Sequence, residues 1–151
     1  MSDFDLALAF VLARENGLAD DPADPGGRTM RGITQRVYDA WRDAQRLPRR
    51  DVALIEPPEW TAIYDAEYWR PAGCVALAAP SDLAVFDTAV NMGAGRAKAL
   101  WGQTRGLDAF LWARLDLYRR IVLEHPAQGK FLPGWLRRMV LLHRACVGGT
   151  P

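Results

Sequence analysis

Glu15, Asp24 and Thr29 of this 151-residue chain are separated by eight and then four residues. That spacing can set a proton donor, a second carboxylate and a water-holding hydroxyl around one cleft. Cleaving a glycosidic bond needs such an acid, together with a carboxylate or a positioned water across the sugar. Glu15 follows Leu8 by seven residues, Val11 by four and Leu12 by three, so on a helix it shares their apolar face. Partial desolvation there favours the neutral carboxyl that a general acid must present. The negative end of the helix dipole, in the last turn of a helix over residues 3–16, acts in the same direction. The structural alternative is an ion pair with an arginine, Arg14 being adjacent.

The segment that follows, residues 17–34, reads GLADDPADPGGRTMRGIT and has no periodicity. Two prolines, four glycines and three aspartates predict a loop with tight turns and short strands. Loops of this length inside a domain are usually functional. Gly26, Gly27 and Gly32 let backbone approach a ligand, which makes Gly27 a candidate substrate contact. Thr34 is either a second contact or, as we favour, the N-cap of the next helix. Two other loop chemistries fail on spacing. A calcium loop starting at Asp20 needs oxygen ligands where Pro22 and Arg31 stand, and a phosphate loop needs lysine where Ile33 stands.

The elements that must position these groups are helical. A first helix is expected to stop at Asn16-Gly17. Further helices are predicted over Gln35 to Gln45, from Pro57 to Trp69, over 82–92 behind Ser81 as N-cap, near 96–103, from Leu107 to His125, and from Pro133 to Cys146. No run alternates with period two for long, so any sheet is minor. Asp87 and Asn91 lie four apart on the 82–92 helix, either as a surface pair or as groups facing a glycan, where an amide reads N-acetyl groups. Tyr68 is a further candidate sugar contact, although Tyr68 and Trp69 read more readily as core. Trp101, Trp112 and Trp135 are likewise expected in the core.

Composition bounds the rest. Half of the residues are apolar and a quarter charged, as in an ordinary globular domain. Cys74 and Cys146 belong to no C-x-x-C pair and have only His125 and His143 as co-ligands, so free thiols are expected, with no metal site and no cofactor. The N-terminal apolar run carries Asp3 and Asp5, stops at Ala13 and is too short for a membrane span, which predicts cytoplasmic synthesis without a signal peptide and no stable membrane insertion. Charge is uneven: residues 1–95 hold 9 Lys and Arg against 15 Asp and Glu, whereas residues 96–151 hold 10 against 3. A basic second half suits a polyanionic surface such as a cell wall or membrane, or simple solubility. It carries no nucleic-acid-binding motif, and nucleic acid is not expected as a partner.

The segment E-N-G-L-A-D-D-P-A-D-P-G-G-R-T-M-R-G-I-T at 15–34 resembles the signature of glycoside hydrolase family 108, the N-acetylmuramidases of phage endolysins and related bacterial proteins. More than ten fixed positions agree, and Asn16 stands where the family has its first glycine. The Glu-Asp-Thr arrangement is also similar to that of phage-type lysozymes. E-Y-W-R-P-A-G at 67–73, F-D-T-A-V-N-M-G-A-G-R-A at 86–97 and the closing F-L-P-G-W-L-R-R-M extend the likeness over nearly the whole chain.

The resemblance implies a mainly α, lysozyme-like single domain over 1–151, with a long loop or small β-hairpin after the first helix. Residues 1–80 would form its catalytic part and 81–151 a peptidoglycan-binding-like half. It also implies cleavage between N-acetylmuramic acid and N-acetylglucosamine, with Glu15 as acid, Asp24 steadying positive charge or activating water, and Thr29 orienting that water. The partner would be the glycan strand of peptidoglycan in the periplasm, reached with the help of a holin or a virion-like particle. The alternatives are a non-catalytic wall-binding domain of the same fold and a lytic transglycosylase, which uses one acid and no second carboxylate.

Overall fold

Apolar residues at helical spacing carry most of the chain into α-helix. The computed structural model describes residues 3–15, 17–19 and 27–148. The chain divides into two compact units, Met1–Glu67 and Tyr68–Pro151.

In the first unit, α1 (Asp3–Leu12) buries Ala7, Leu8 and Val11. It ends earlier than expected because the N–H groups of Arg14 and Glu15 share the carbonyl of Val11, at 2.9 and 3.2 Å. Glu15 therefore lies just past the helix, not in its last turn. Three two-residue strands follow, β1 (Leu18–Ala19), β2 (Thr29–Met30) and β3 (Ile33–Thr34), paired antiparallel in the order β1-β2-β3. Ala19 faces Thr29, and Thr29 faces Thr34. Thr34 then caps α2 (Gln35–Ala44), its hydroxyl accepting from the Val37 N–H at 3.2 Å. Proline opens α3 (Pro57–Tyr64), and a π-helical turn, Asp65–Trp69, follows. Val11, Ile33, Tyr38, Val52 and Ile63 are fully buried and form the core of this unit. Each such aliphatic side chain stabilises by about 1.5–3 kcal/mol relative to exposure.

A polar network ties α2 to α3. Glu59 accepts from the Tyr38 hydroxyl (2.8 Å), from Arg42 (2.6 Å), from Arg50 (2.5 Å) and from the Glu56 N–H (3.0 Å). Burial pushes the Glu59 carboxyl up, but these donors outweigh it and hold the group below the usual carboxylate range.

In the second unit α4 (Ser81–Met92) is central: Ala84, Val85, Phe86, Asp87, Thr88 and Ala89 are all buried. It packs against α5 (Ala94–Gln103), α6 (Leu107–Glu124) and α7 (Leu132–Val147). Pro80, not Ser81, occupies the N-cap position of α4. Gly93, at φ +94, makes the bend between α4 and α5 that an L side chain resists. Trp69 meets Phe86 edge-on at 5.3 Å and Trp101 meets Phe110 at 5.5 Å, so these two indoles pack as expected. Trp112 does not: it is 64% exposed on α6. Cys74 and Cys146 are free thiols, and burial pushes both up to about 12. Among the described residues no helix is long and apolar enough to cross a membrane.

The Glu59 network gives the first unit an acid-sensitive joint. A depressed carboxyl contributes stability that is present above its unfolded pKa and lost as pH falls through its folded one. Thermal unfolding followed from pH 7 down to pH 2 should show Glu59→Gln to be less stable near neutrality and flatter below pH 4 than the unsubstituted chain. Parallel curves would remove Glu59 from the acid response.

Candidate active site

The β2–β3 hairpin turns on two residues, Arg31 at φ +51 and Gly32 at φ +76. Positive φ at both positions is the type I′ geometry whose twist matches a tight hairpin. Fully buried Ile33 anchors the hairpin in the core of the first unit. The turn thereby brings Gly32 against the end of α1. A Cβ placed on Gly32 would lie 2.9 Å from Glu15 Oε2, 3.2 Å from its Cδ and 3.0 Å from the Tyr64 hydroxyl. The carboxylate and the phenol thus pack on one face of this glycine, in space that any other residue would fill. Tyr64 comes from the end of α3, and its hydroxyl donates to the Arg31 carbonyl at 2.7 Å, fixing the turn from below.

Glu15 itself is half-buried, just past α1, and so is not on the helical face with Leu8 and Val11 that the spacing predicted. Arg14 folds back along α1, its guanidinium 3.3 Å from the Phe10 ring centroid and donating to the Phe10 carbonyl. Arg31 lays its guanidinium 4.7 Å from the Trp60 ring centroid. Thr29 is half-buried on the central strand, and its hydroxyl has no hydrogen bond among the described residues. Gly27 has φ +65 and open space where a Cβ would be. Thr34 is the helix cap described above. Asp24 and Asn16 lie outside the described residues. Tyr64 was not among the residues singled out from sequence, because its partner carbonyl is 33 positions away.

The second unit holds the other three candidates. Asp87 is fully buried, and this corrects its reading as a glycan contact. Its Oδ2 accepts from Arg114 at 2.7 Å, and Arg138 Nε reaches Oδ1 and Oδ2 at 3.0 and 3.2 Å. Arg114 is itself fully buried, and also bonds Thr88 and Tyr118. Asp87 is therefore the counter-ion of a buried arginine, a structural role. Asn91 is exposed, and its Oδ1 accepts from the Tyr118 hydroxyl at 2.6 Å. Its NH2 has no hydrogen bond among the described residues, and Asn91 lines a groove of about 450 Å³ with Arg96, Tyr118, His125 and Trp135. Tyr118 and Trp135 stack at 4.8 Å with 16° between their planes. Tyr68 is half-buried in the same unit. No group of three or more metal-ligating side chains occurs among the described residues.

Comparison with known proteins bears on this arrangement. The model of the family Glycosyl hydrolase 108 matches residues 8–93, a span that holds every candidate residue named above from Glu15 to Asn91. The structure of Brucella abortus SagA is similar over 94% of this chain and 92% of that one, with a TM-score of 0.74 and 26% sequence identity. No curated protein matches the chain. The fold is mainly α and lysozyme-like, with a small three-stranded hairpin sheet.

Two substitutions separate the chemical from the structural groups. Gly32→Ala must displace the Glu15 carboxylate or the turn. It should cost about 1–3 kcal/mol of stability and lower glycosidase activity well beyond the loss of folded protein. Gly73→Ala, also at positive φ but with no atom within 4 Å, controls for backbone strain alone. Asp87→Ala leaves Arg114 buried without its counter-ion and should cost about 3–5 kcal/mol in urea or thermal unfolding. A change under about 1 kcal/mol in that variant would return Asp87 to the list of surface groups.

Proposed function

The chain belongs to glycosyl hydrolase family 108, a membership that makes it a peptidoglycan-degrading glycosidase of the muramidase type, and from that premise we propose that it cuts the β-1,4 bond between N-acetylmuramic acid and N-acetylglucosamine with Glu15 as general acid. The observation that carries the proposal is the seat of Glu15: half-buried at the exit of α1, against the one turn residue that leaves room for a carboxylate. A carboxyl held this way has one orientation to offer a leaving oxygen. Protonation of that oxygen breaks the bond to the anomeric carbon and leaves an oxocarbenium-like charge. In this reading Asp24 steadies the charge or activates the incoming water, and Thr29, with an uncommitted hydroxyl, orients that water. Gly27 gives the strand backbone access, and Asn91 and Tyr68 are candidate contacts for sugar or N-acetyl groups.

In this reading the chain meets its substrate after a holin opens the inner membrane or a virion-like particle carries it in. Residues 96–151, with their excess of Arg and Lys, suit the approach to an anionic wall.

Turbidity of purified peptidoglycan tests the acid. Glu15→Gln, nearly isosteric and unable to donate as an acid, should clear about 10²–10⁴ times more slowly. Equal clearing by both proteins sinks the assignment. Mass spectrometry of the released sugars then decides the fate of the cation. Reducing-end products carrying one added water support hydrolysis, and a further loss of rate in Asp24→Asn supports its role. Anhydro products, lighter by that water and unaffected by Asp24→Asn, make the enzyme a lytic transglycosylase instead.

A further inference from the structure

The second unit leaves one helical face uncovered. α6 and α7 run past each other in opposite directions: Asp108 near the start of α6 shares a furrow with Arg144 near the end of α7, and Val122 near the end of α6 shares a hollow with Leu132 at the start of α7. The inner faces of the pair are filled, since α6 buries Phe110, Arg114 and Tyr118 and α7 buries Leu142, while Leu111 and Met139 form the floor of the furrow between them. The outer face is apolar as well. Trp112 is 64% exposed, Leu123 65%, Val140 50% and Leu136 41%. The furrow measures about 430 Å³ and the adjoining hollow about 240 Å³, and Leu115 and Leu136 line both.

The spacing along this face is that of a helix-packing seam. Asp108, Trp112, Leu115, Arg119 and Val122 follow one another at intervals of four, three, four and three; Leu132, Leu136, Met139 and His143 at four, three and four. A surface helix ordinarily carries one apolar stripe, and α6 carries a second. The charges at one end of the furrow are of opposite sign, Asp108 on one wall and Arg144 on the other. Neither has an ion pair within the described residues.

We propose that this face binds a second copy of the same chain, the two α6–α7 hairpins closing into an antiparallel four-helix bundle about a two-fold axis that runs along the helices. Each α6 then lies between its own α7 and that of the other copy, as in up-and-down bundles. Asp108 of each copy reaches the partner's Arg144, so one contact occurs twice, as an isologous interface demands. Trp112 and Val140 enter the seam between them. A second copy offers a cation to Asp108 and an anion to Arg144, whereas an anionic lipid surface answers only the arginine. The proposal stands apart from the catalytic assignment, and α6 and α7 lie beyond the matched span 8–93.

Sedimentation velocity of the full chain, from micromolar to several hundred micromolar, is the test. The expected result is a dimer whose population rises with concentration, and which Trp112→Glu weakens by about 30-fold or more. Asp108→Arg and Arg144→Asp should each sediment as monomers where the unsubstituted chain is dimeric, with helix content unchanged by circular dichroism. Mixing the two variants in equal amounts should restore the dimer, because one carries two cations at that end of the furrow and the other two anions. A fold defect in either variant cannot produce that recovery. A chain that is monomeric at every concentration overturns the proposal, and so does a dimer indifferent to all three substitutions. A monomer that binds phosphatidylglycerol vesicles through Trp112 also overturns it and makes the face a membrane surface.

Discussion

A missing methyl group is the constraint on which the first unit turns. The Glu15 carboxylate and the Tyr64 hydroxyl occupy the volume that a Cβ on Gly32 would take, and Gly32 can leave it empty only because a left-handed turn suits a glycine. Three elements meet through that vacancy: the end of α1, the β2–β3 turn and the end of α3. None of them holds the carboxylate alone. The buried Ile33 sets the depth of the hairpin, and the Tyr64–Arg31 hydrogen bond sets its tilt. A carboxylate positioned by packing of this kind has little room to reorganise.

The two units solve the problem of interior charge differently. In the first, Glu59 gathers donors from α2, from the segment after it and from the start of α3, at the margin of the core. In the second, Asp87 and Arg114 are fully withdrawn from water, with Thr88, Tyr118 and Arg138 taking up the remaining hydrogen-bonding capacity. Such a pair returns little net stability against a well-packed apolar substitute. What it does is make α4, α6 and α7 interdependent, since the charge of each is compensated only in one arrangement.

Much of this was legible in the residues. Helix positions followed from apolar spacing, and the loop at 17–34 announced itself by its glycines, prolines and lack of period. Thr34 read correctly as a cap because capping is local, depending on an N–H three residues on. Most of the misreadings of side chains are non-local. Asp87 looked like a surface group beside Asn91, but its partners are 27 and 51 residues away. Trp112 sits on a helix with two apolar seams, and periodicity cannot say which of them α4 will cover. Tyr64 gave no signal, since the carbonyl it serves belongs to a different element. The end of α1 was placed too late because sharing of the Val11 carbonyl is a matter of backbone geometry that no side chain advertises.

The two cysteines have a consequence of their own. With both thiols held near 12, almost none of either is thiolate at neutral pH, and the thiolate is the species that oxidants and other disulfides attack. Neither sulfur is in a disulfide, and Cys146 Sγ instead donates to the Pro80 carbonyl at 3.7 Å, so no cross-link has to be made or broken for the fold to persist. The fold therefore depends on no oxidase to mature, and neither thiol is primed for attack at neutral pH.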